Sequence, residues 1–223
     1  MRSFTAFNRL LGVFFVFIGA LICARIFYSG SIRYIFLSWN IFLGWIPYIL
    51  SSYFVLYMRK EKWKQFLLFA TWLLFFPNAL YIVTDLIHLE ESTNVPLWYD
   101  AILLFASSFI GLIMAFVSLQ KAEYFLNGIF SRRVVTWITP LILFIGSFGV
   151  YLGRFQRWNS WDVIHNPLSL AMDILDRFIS PVDNYKTWAI TIILTALYSL
   201  LYFFIKILPN TLSEKNSREG VKA

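Results

Sequence analysis

The stretch Phe76-Pro77-Asn78-Ala79-Leu80-Tyr81-Ile82-Val83-Thr84-Asp85-Leu86-Ile87-His88-Leu89-Glu90 closes a long apolar run, yet carries more polar side chains than a helix facing lipid tolerates. On a helix, Asn78, Tyr81, Asp85 and His88 follow one another at +3, +4 and +3, with Thr84 beside them. Residues so spaced share one face, which makes that face a candidate site. Pro77 removes a backbone donor, so the carbonyl of Leu73 loses its helical partner and a kink is expected. In hydrocarbon such a break persists only where protein or a wet cavity satisfies the freed group.

The apolar run before this stretch is one of several near the length of a bilayer crossing. With 59% hydrophobic and only 14% charged residues, the composition excludes an ordinary soluble domain and indicates an integral membrane protein. The expected fold is all-α and polytopic, with helices at about 9–28, 34–57, 65–88, 100–120, 134–152 and 187–208. These form one transmembrane domain over 1–211, followed by a polar, disordered cytoplasmic tail over 212–223. The first run extends beyond a usual signal-peptide core, and Ile22 before Cys23 is too bulky for lipoprotein cleavage, so it is read as an uncleaved helix. Cys23 is the single cysteine, which excludes an intrachain disulfide.

The formal charge of +7 comes from basic residues that flank the apolar runs, so it implies lipid headgroups as partners and not nucleic acid. With six crossings the termini share a side, which receives thirteen Lys and Arg against six on the other. That bias predicts both termini in the cytoplasm of a bacterial plasma membrane. Small and polar stripes, such as Gly44, Pro47 and Ser51 below Asn40, or Gly146, Gly149 and Gly153, read first as helix-packing surfaces.

The one long loop, 153–186, contains Asn166-Pro167, which reads as an N-cap and first helical residue. Leu168, Ala171, Met172, Leu175, Phe178 and Ile179 then line one side, so an amphipathic helix at about 167–180 should lie in the interface. Asp173 and Arg177 are expected as a solvated pair on its other side.

Both histidines follow an aspartate by three residues, as Asp85/His88 and Asp162/His165. Asp85, His88 and His165 could supply a mixed set for zinc or another divalent metal, or Asp85, His88, Asp100 and Asp162 could do acid/base work. The alternative is that these groups are hydrogen-bonded or ion-paired. Arg154 and Arg157, one turn apart beside Trp158, would suit a phosphate or carboxylate, and Asn40, Asn78, Tyr81 and Asn159 would complete a binding surface. The alternative for the arginines is a set of ion pairs with Asp85, Asp100 or Asp162. No Gly-x-Ser-x-Gly, His-Glu-x-x-His or P-loop spacing singles out an enzyme class.

The segments Trp39-Asn40 with Trp45-Ile46-Pro47, Phe76 to Tyr81, Thr84 to Leu89, Trp98-Tyr99-Asp100 and Gly153 to Asp162 together resemble a bacterial membrane-protein family known as domain of unknown function 1361. The resemblance implies a six-helix-type membrane protein and no particular activity. It lends Asn78, Asp85, His88, Asp100, Arg154, Asn159 and Asp162 a place in a shared motif set. Leu80 departs from the family pattern, in which proline is common there, and His165 lies just outside the last motif.

The expected function is therefore binding or processing of an anionic or amphipathic substrate at the outer leaflet, as a membrane hydrolase or transferase. Two alternatives stay open: a lipid or solute transporter, and an accessory protein whose polar cluster only ties helices together.

Overall fold

The computed structural model describes residues 2–91 and 95–220, with side chains described over 5–91 and 95–209. Every regular element among them is helical: α1 (Arg2–Ser29), α2 (Phe36–Ser52), α3 (Phe54–Tyr57), α4 (Lys62–Tyr81) and a 3-10 segment (Ile82–His88), then α5 (Leu97–Asn127), α6 (Arg132–Phe155), α7 (Asp162–His165), α8 (Pro167–Ile179) and α9 (Tyr185–Gly220). Six segments among the described residues are long and apolar enough to cross a membrane, and the expectation of an all-α polytopic membrane protein holds. Several helices run past their apolar cores, as α5 does through Lys121, Ala122 and Glu123. Residues of good helix propensity carry a helix on once it has formed. The expected disordered tail is helical to Gly220 as a continuation of α9, and of the tail 221–223 lie outside the described residues.

The most enclosed of the six is α5, which packs against α1, α2, α4, the 3-10 segment and α6. Helix α2 lies on α4 and α5, and α6 lies on α4 and α9. The result is a bundle with the stretch from Phe76 to Ile82 at its centre. Phe76, Ala79, Leu80 and Ile82 are wholly buried there. Glycines on three helices let the backbones close on this stretch. A Cβ at Gly149 would come within 2.6 Å of the Pro77 ring. One at Gly111 would meet the Ala79 carbonyl oxygen at 3.0 Å, and one at Gly44 would meet the Ala79 Cα at 3.2 Å. The small-residue stripes are packing surfaces, as lipid-embedded helices require.

Hydrogen bonds across the bundle tie these contacts down. The Trp72 indole donates to Ser118 (2.6 Å), whose hydroxyl donates to the carbonyl of Pro47 (3.0 Å), joining α4, α5 and α2. Near the end where the chain terminates, Glu123 accepts from Thr139 (2.7 Å) and Lys206 (2.5 Å), joining α5, α6 and α9.

Helix α8 forms where the Asn166-Pro167 signal places it and turns a mixed side to the protein, with Leu170 and Arg177 buried and Asp173 and Ile174 half-buried, while Ser169 and Asp176 stay exposed. Arg177 is 4% exposed and bonds Asp173, which also accepts from the Trp158 indole at 2.6 Å. The expected solvated pair is thus an anchor that docks the helix. The apolar face, with Leu168 and Met172 more than two thirds exposed, is the one left for lipid.

Candidate functional site

The decisive local event is the change from α-helix to 3-10 helix after Tyr81. The Thr84 hydroxyl donates to the Tyr81 carbonyl at 2.6 Å. Such side-chain bonds compete with the helical ladder, and Ile82, Val83 and Thr84 are β-branched residues, whose restricted χ1 lowers helix propensity slightly. Carbonyls released by the tightening find donors on neighbouring elements. Ile82 accepts from Ser108 (3.1 Å), Leu80 from the Tyr198 hydroxyl (3.0 Å) and His88 from the Tyr34 hydroxyl (2.9 Å). Burial, and then the charge of Asp100, push the Tyr34 phenol above its ordinary range, so it remains a donor. Around Pro77 the carbonyls that receive outside donors are Leu74, from the Ser160 hydroxyl (3.0 Å), and Phe75, from the Asn78 amide (3.0 Å). These lie one and two residues beyond the Leu73 carbonyl that the proline rule singles out.

With three residues per turn the face seen at α-helical spacing divides. Asp85 is wholly buried and is held by Arg154 and by the Asn40 amide (2.8 Å). The same guanidinium reaches the Thr84 hydroxyl (2.9 Å) through Nε and the His88 Nε2 (2.9 Å) through a terminal nitrogen, and it lies 4.1 Å from the Tyr81 ring centroid. Arg154 therefore gathers Tyr81, Thr84, Asp85 and His88, as the ion-pair reading allowed. Asn78 points elsewhere, giving its amide hydrogens to the Phe75 carbonyl and to Ser160 (2.9 Å).

The remaining acid/base candidates lie apart from this cluster. Asp100 is buried in a bidentate pair with Arg25, Nε to Oδ1 at 2.7 Å and the second nitrogen to Oδ2 at 3.0 Å. Arg25 also stacks over Tyr34, 4.5 Å from the ring centroid. Asp162 accepts from the Asn159 backbone (2.7 Å) and side chain (3.3 Å) in a local turn. Arg157 does not stand a helical turn above Arg154. Helix α6 ends at Phe155, and Arg157 is exposed with φ +63°, so the two arginines do not share a helix face as the sequence spacing suggested. His165 is exposed on α7. Among the described residues no three His, Cys, Asp or Glu side chains gather into a set that could hold a metal ion, so Asp85, His88 and His165 do not make the expected ligand set. Two ion pairs are legible only in the structure: Arg25 counted in the sequence as a topology signal, and Glu123 with Lys206 lies at the end of the bundle where no cluster was expected.

Beside the Arg154 cluster lies a groove of about 620 Å³, within the range of ligand sites. Helix α4 forms its floor from Phe66 to Tyr81, about 22 Å at 1.5 Å per residue. Trp39, Asn40 and Leu43 of α2 form one wall, and Ile145, Gly149 and Leu152 of α6 the other. The 153–186 loop covers one end with Trp158, Ser160, Val163, Leu170 and Ile174. Trp39 and Phe66 at its edges are more than half exposed, so the groove is open sideways. Its polar residues, Asn40, Asn78, Tyr81, Asn159 and Ser160, fall at the loop end, and the rest of the length is apolar. Four of the expected binding residues, Asn40, Asn78, Tyr81 and Asn159, thus share one groove. Arg154 and Arg157 are not among its lining residues. Asn40 and Tyr81 belong to both structures, touching Asp85 and Arg154 while lining the groove.

A family model described as "Protein of unknown function (DUF1361)" matches residues 39–211. That span includes the groove and the Arg154 cluster but not Arg25. No curated protein and no solved structure matches the chain.

Proposed function

The chain belongs to the DUF1361 family, whose description assigns no activity, and from that premise we propose that it holds an amphipathic molecule in the groove along α4, chain in the apolar part and headgroup under the 153–186 loop. The observation that carries this reading is the groove's polarity gradient, apolar from Phe66 to Leu74 and polar from Asn78 to Ser160. A length of about 22 Å exceeds one leaflet's share of a hydrocarbon core of about 30 Å, which suits one extended chain better than a compact solute. On the Lys/Arg bias of the loops, the headgroup end faces outward from a plasma membrane with both termini inside.

In this reading Asp85, His88 and Arg154 are the wall and not the reacting centre. Each already has a partner in the cluster, and together they fix Asn40 and Tyr81 at the groove's polar end.

Ala70 lines the groove and is remote in sequence from the Arg154 cluster. Ala70→Trp should fill the apolar part. Native mass spectrometry of the gently extracted protein should show a lipid bound to the parent and absent from Ala70→Trp, with the two melting at similar temperatures. Equal lipid retention by both would leave the purely structural reading of the polar cluster as the better one.

A further inference from the structure

Resting on the groove reading, we infer that the headgroup it takes is a hydrogen-bond donor without negative charge, a hydroxyl-bearing one, in place of the anionic headgroup expected from the sequence.

A headgroup can bond only to what the lining residues have left to offer. Asn78 gives one amide hydrogen to the Phe75 carbonyl and the other to Ser160. A backbone carbonyl can only accept, so the amide orientation follows from chemistry. What Asn78 retains is its carbonyl oxygen. Asn40 gives one amide hydrogen to the Asp85 carboxylate and Asn159 gives one to the Asp162 carboxylate, so each keeps its carbonyl oxygen and its second amide hydrogen. The Ser160 hydroxyl gives its one proton to the Leu74 carbonyl. The Trp158 indole gives its own to Asp173. Five polar lining residues thus direct amide, hydroxyl or indole hydrogens into the protein. Among the described lining residues this leaves three amide oxygens as acceptors beside uncharged donors only: the second amide hydrogens of Asn40 and Asn159, the Tyr81 hydroxyl and the exposed Trp39 indole.

Charge points the same way. The lining includes no lysine or arginine. The Arg154 guanidinium, stacked on the lining residue Tyr81, is committed to Thr84, Asp85 and His88. A phosphate brought to the polar end would meet amide oxygens and uncharged donors and lose hydration without a cation to replace it, which is costly. A hydroxyl can donate to one of these amide oxygens and accept from one of the remaining amide hydrogens, and it needs no cation.

The test uses the full chain in detergent and two probes that differ only in headgroup: monooleoylglycerol and monooleoyl lysophosphatidate. Binding is read by native mass spectrometry and by quenching of tryptophan fluorescence, since Trp39 and Trp158 line the groove. Monooleoylglycerol should bind at least about tenfold more tightly. Val163 lines the polar end and is 43% exposed, so Val163→Lys adds a cation there without disturbing the core. That variant should gain lysophosphatidate binding and leave monooleoylglycerol nearly unchanged. Equal or tighter binding of lysophosphatidate by the parent protein overturns the headgroup assignment while the groove reading stands. Binding of neither probe overturns both.

Discussion

The Arg154 guanidinium lies 4.1 Å from the centroid of the Tyr81 ring, and Tyr81 in turn lines the groove. One aromatic side chain therefore separates the charged interior of the loop end from the space where an apolar ligand would lie. Tyr81→Phe should keep the ring over Arg154 and melt near the parent. Tyr81→Leu removes a partly desolvated cation–π contact of about 0.5–2 kcal/mol. A thermal melt of the two variants side by side checks the difference. Equal loss in both would assign the effect to the hydroxyl.

Burial ranks the ion pairs. The Arg25 and Asp100 side chains are 2% and 1% exposed, Arg154 and Asp85 10% and 0%, and Lys206 and Glu123 44% and 11%. Removing one partner of a buried pair costs about 3–5 kcal/mol, because the other charge is left without compensation. A half-exposed lysine can turn its amine to solvent. Arg25→Leu and Arg154→Leu should therefore destabilise far more than Glu123→Gln. Replacing both partners, as in Arg25→Leu with Asp100→Leu, should recover much of the loss. Denaturation in mild detergent gives the order, and a Glu123→Gln variant as unstable as Arg25→Leu would refute it.

Close approach at Pro77 makes Gly149 a sensitive position. A Cβ there would sit 2.6 Å from the proline ring, whereas Gly12 on α1 has nothing within 4 Å of its hypothetical Cβ. Gly149→Val should cost about 1–3 kcal/mol by overpacking, and Gly12→Val should change the melting temperature little. Both variants remain helical, so far-ultraviolet circular dichroism should be alike before melting.

Arg157 occupies left-handed backbone space at φ +63°. For a side-chain-bearing residue that conformation costs about 1–2 kcal/mol, part of which Gly recovers against its greater freedom when unfolded. Arg157→Gly should be neutral or slightly stabilising, and Arg157→Val should destabilise. Ligand binding should survive Arg157→Gly, since Arg157 is not a lining residue. Loss of binding in that variant would restore Arg157 to the site.

Asn78, Tyr81, Asp85 and His88 were legible as a polar face because their spacing is written in one short stretch. Their division between groove and ion cluster was not, because it follows from a 3-10 turn set by the Thr84 hydroxyl and from an arginine 69 residues away. Asp173 and Arg177 could be paired from sequence but not oriented. The i, i+4 rule applies equally to a face in water and to one docked on Trp158.

By itself the sequence determined the class of the protein and the position of its crossings. A run of about twenty apolar residues must satisfy its backbone internally and keep its side chains out of water whatever its neighbours are. Tertiary structure alone decided which charges neutralise which and which end of each amide faces the groove. Arg25 meets Asp100 across 75 residues and Ser160 meets Leu74 across 86. Such pairings depend on how helices dock, and docking is governed by glycine contacts and side-chain shape spread over the whole chain, which no local window of residues contains.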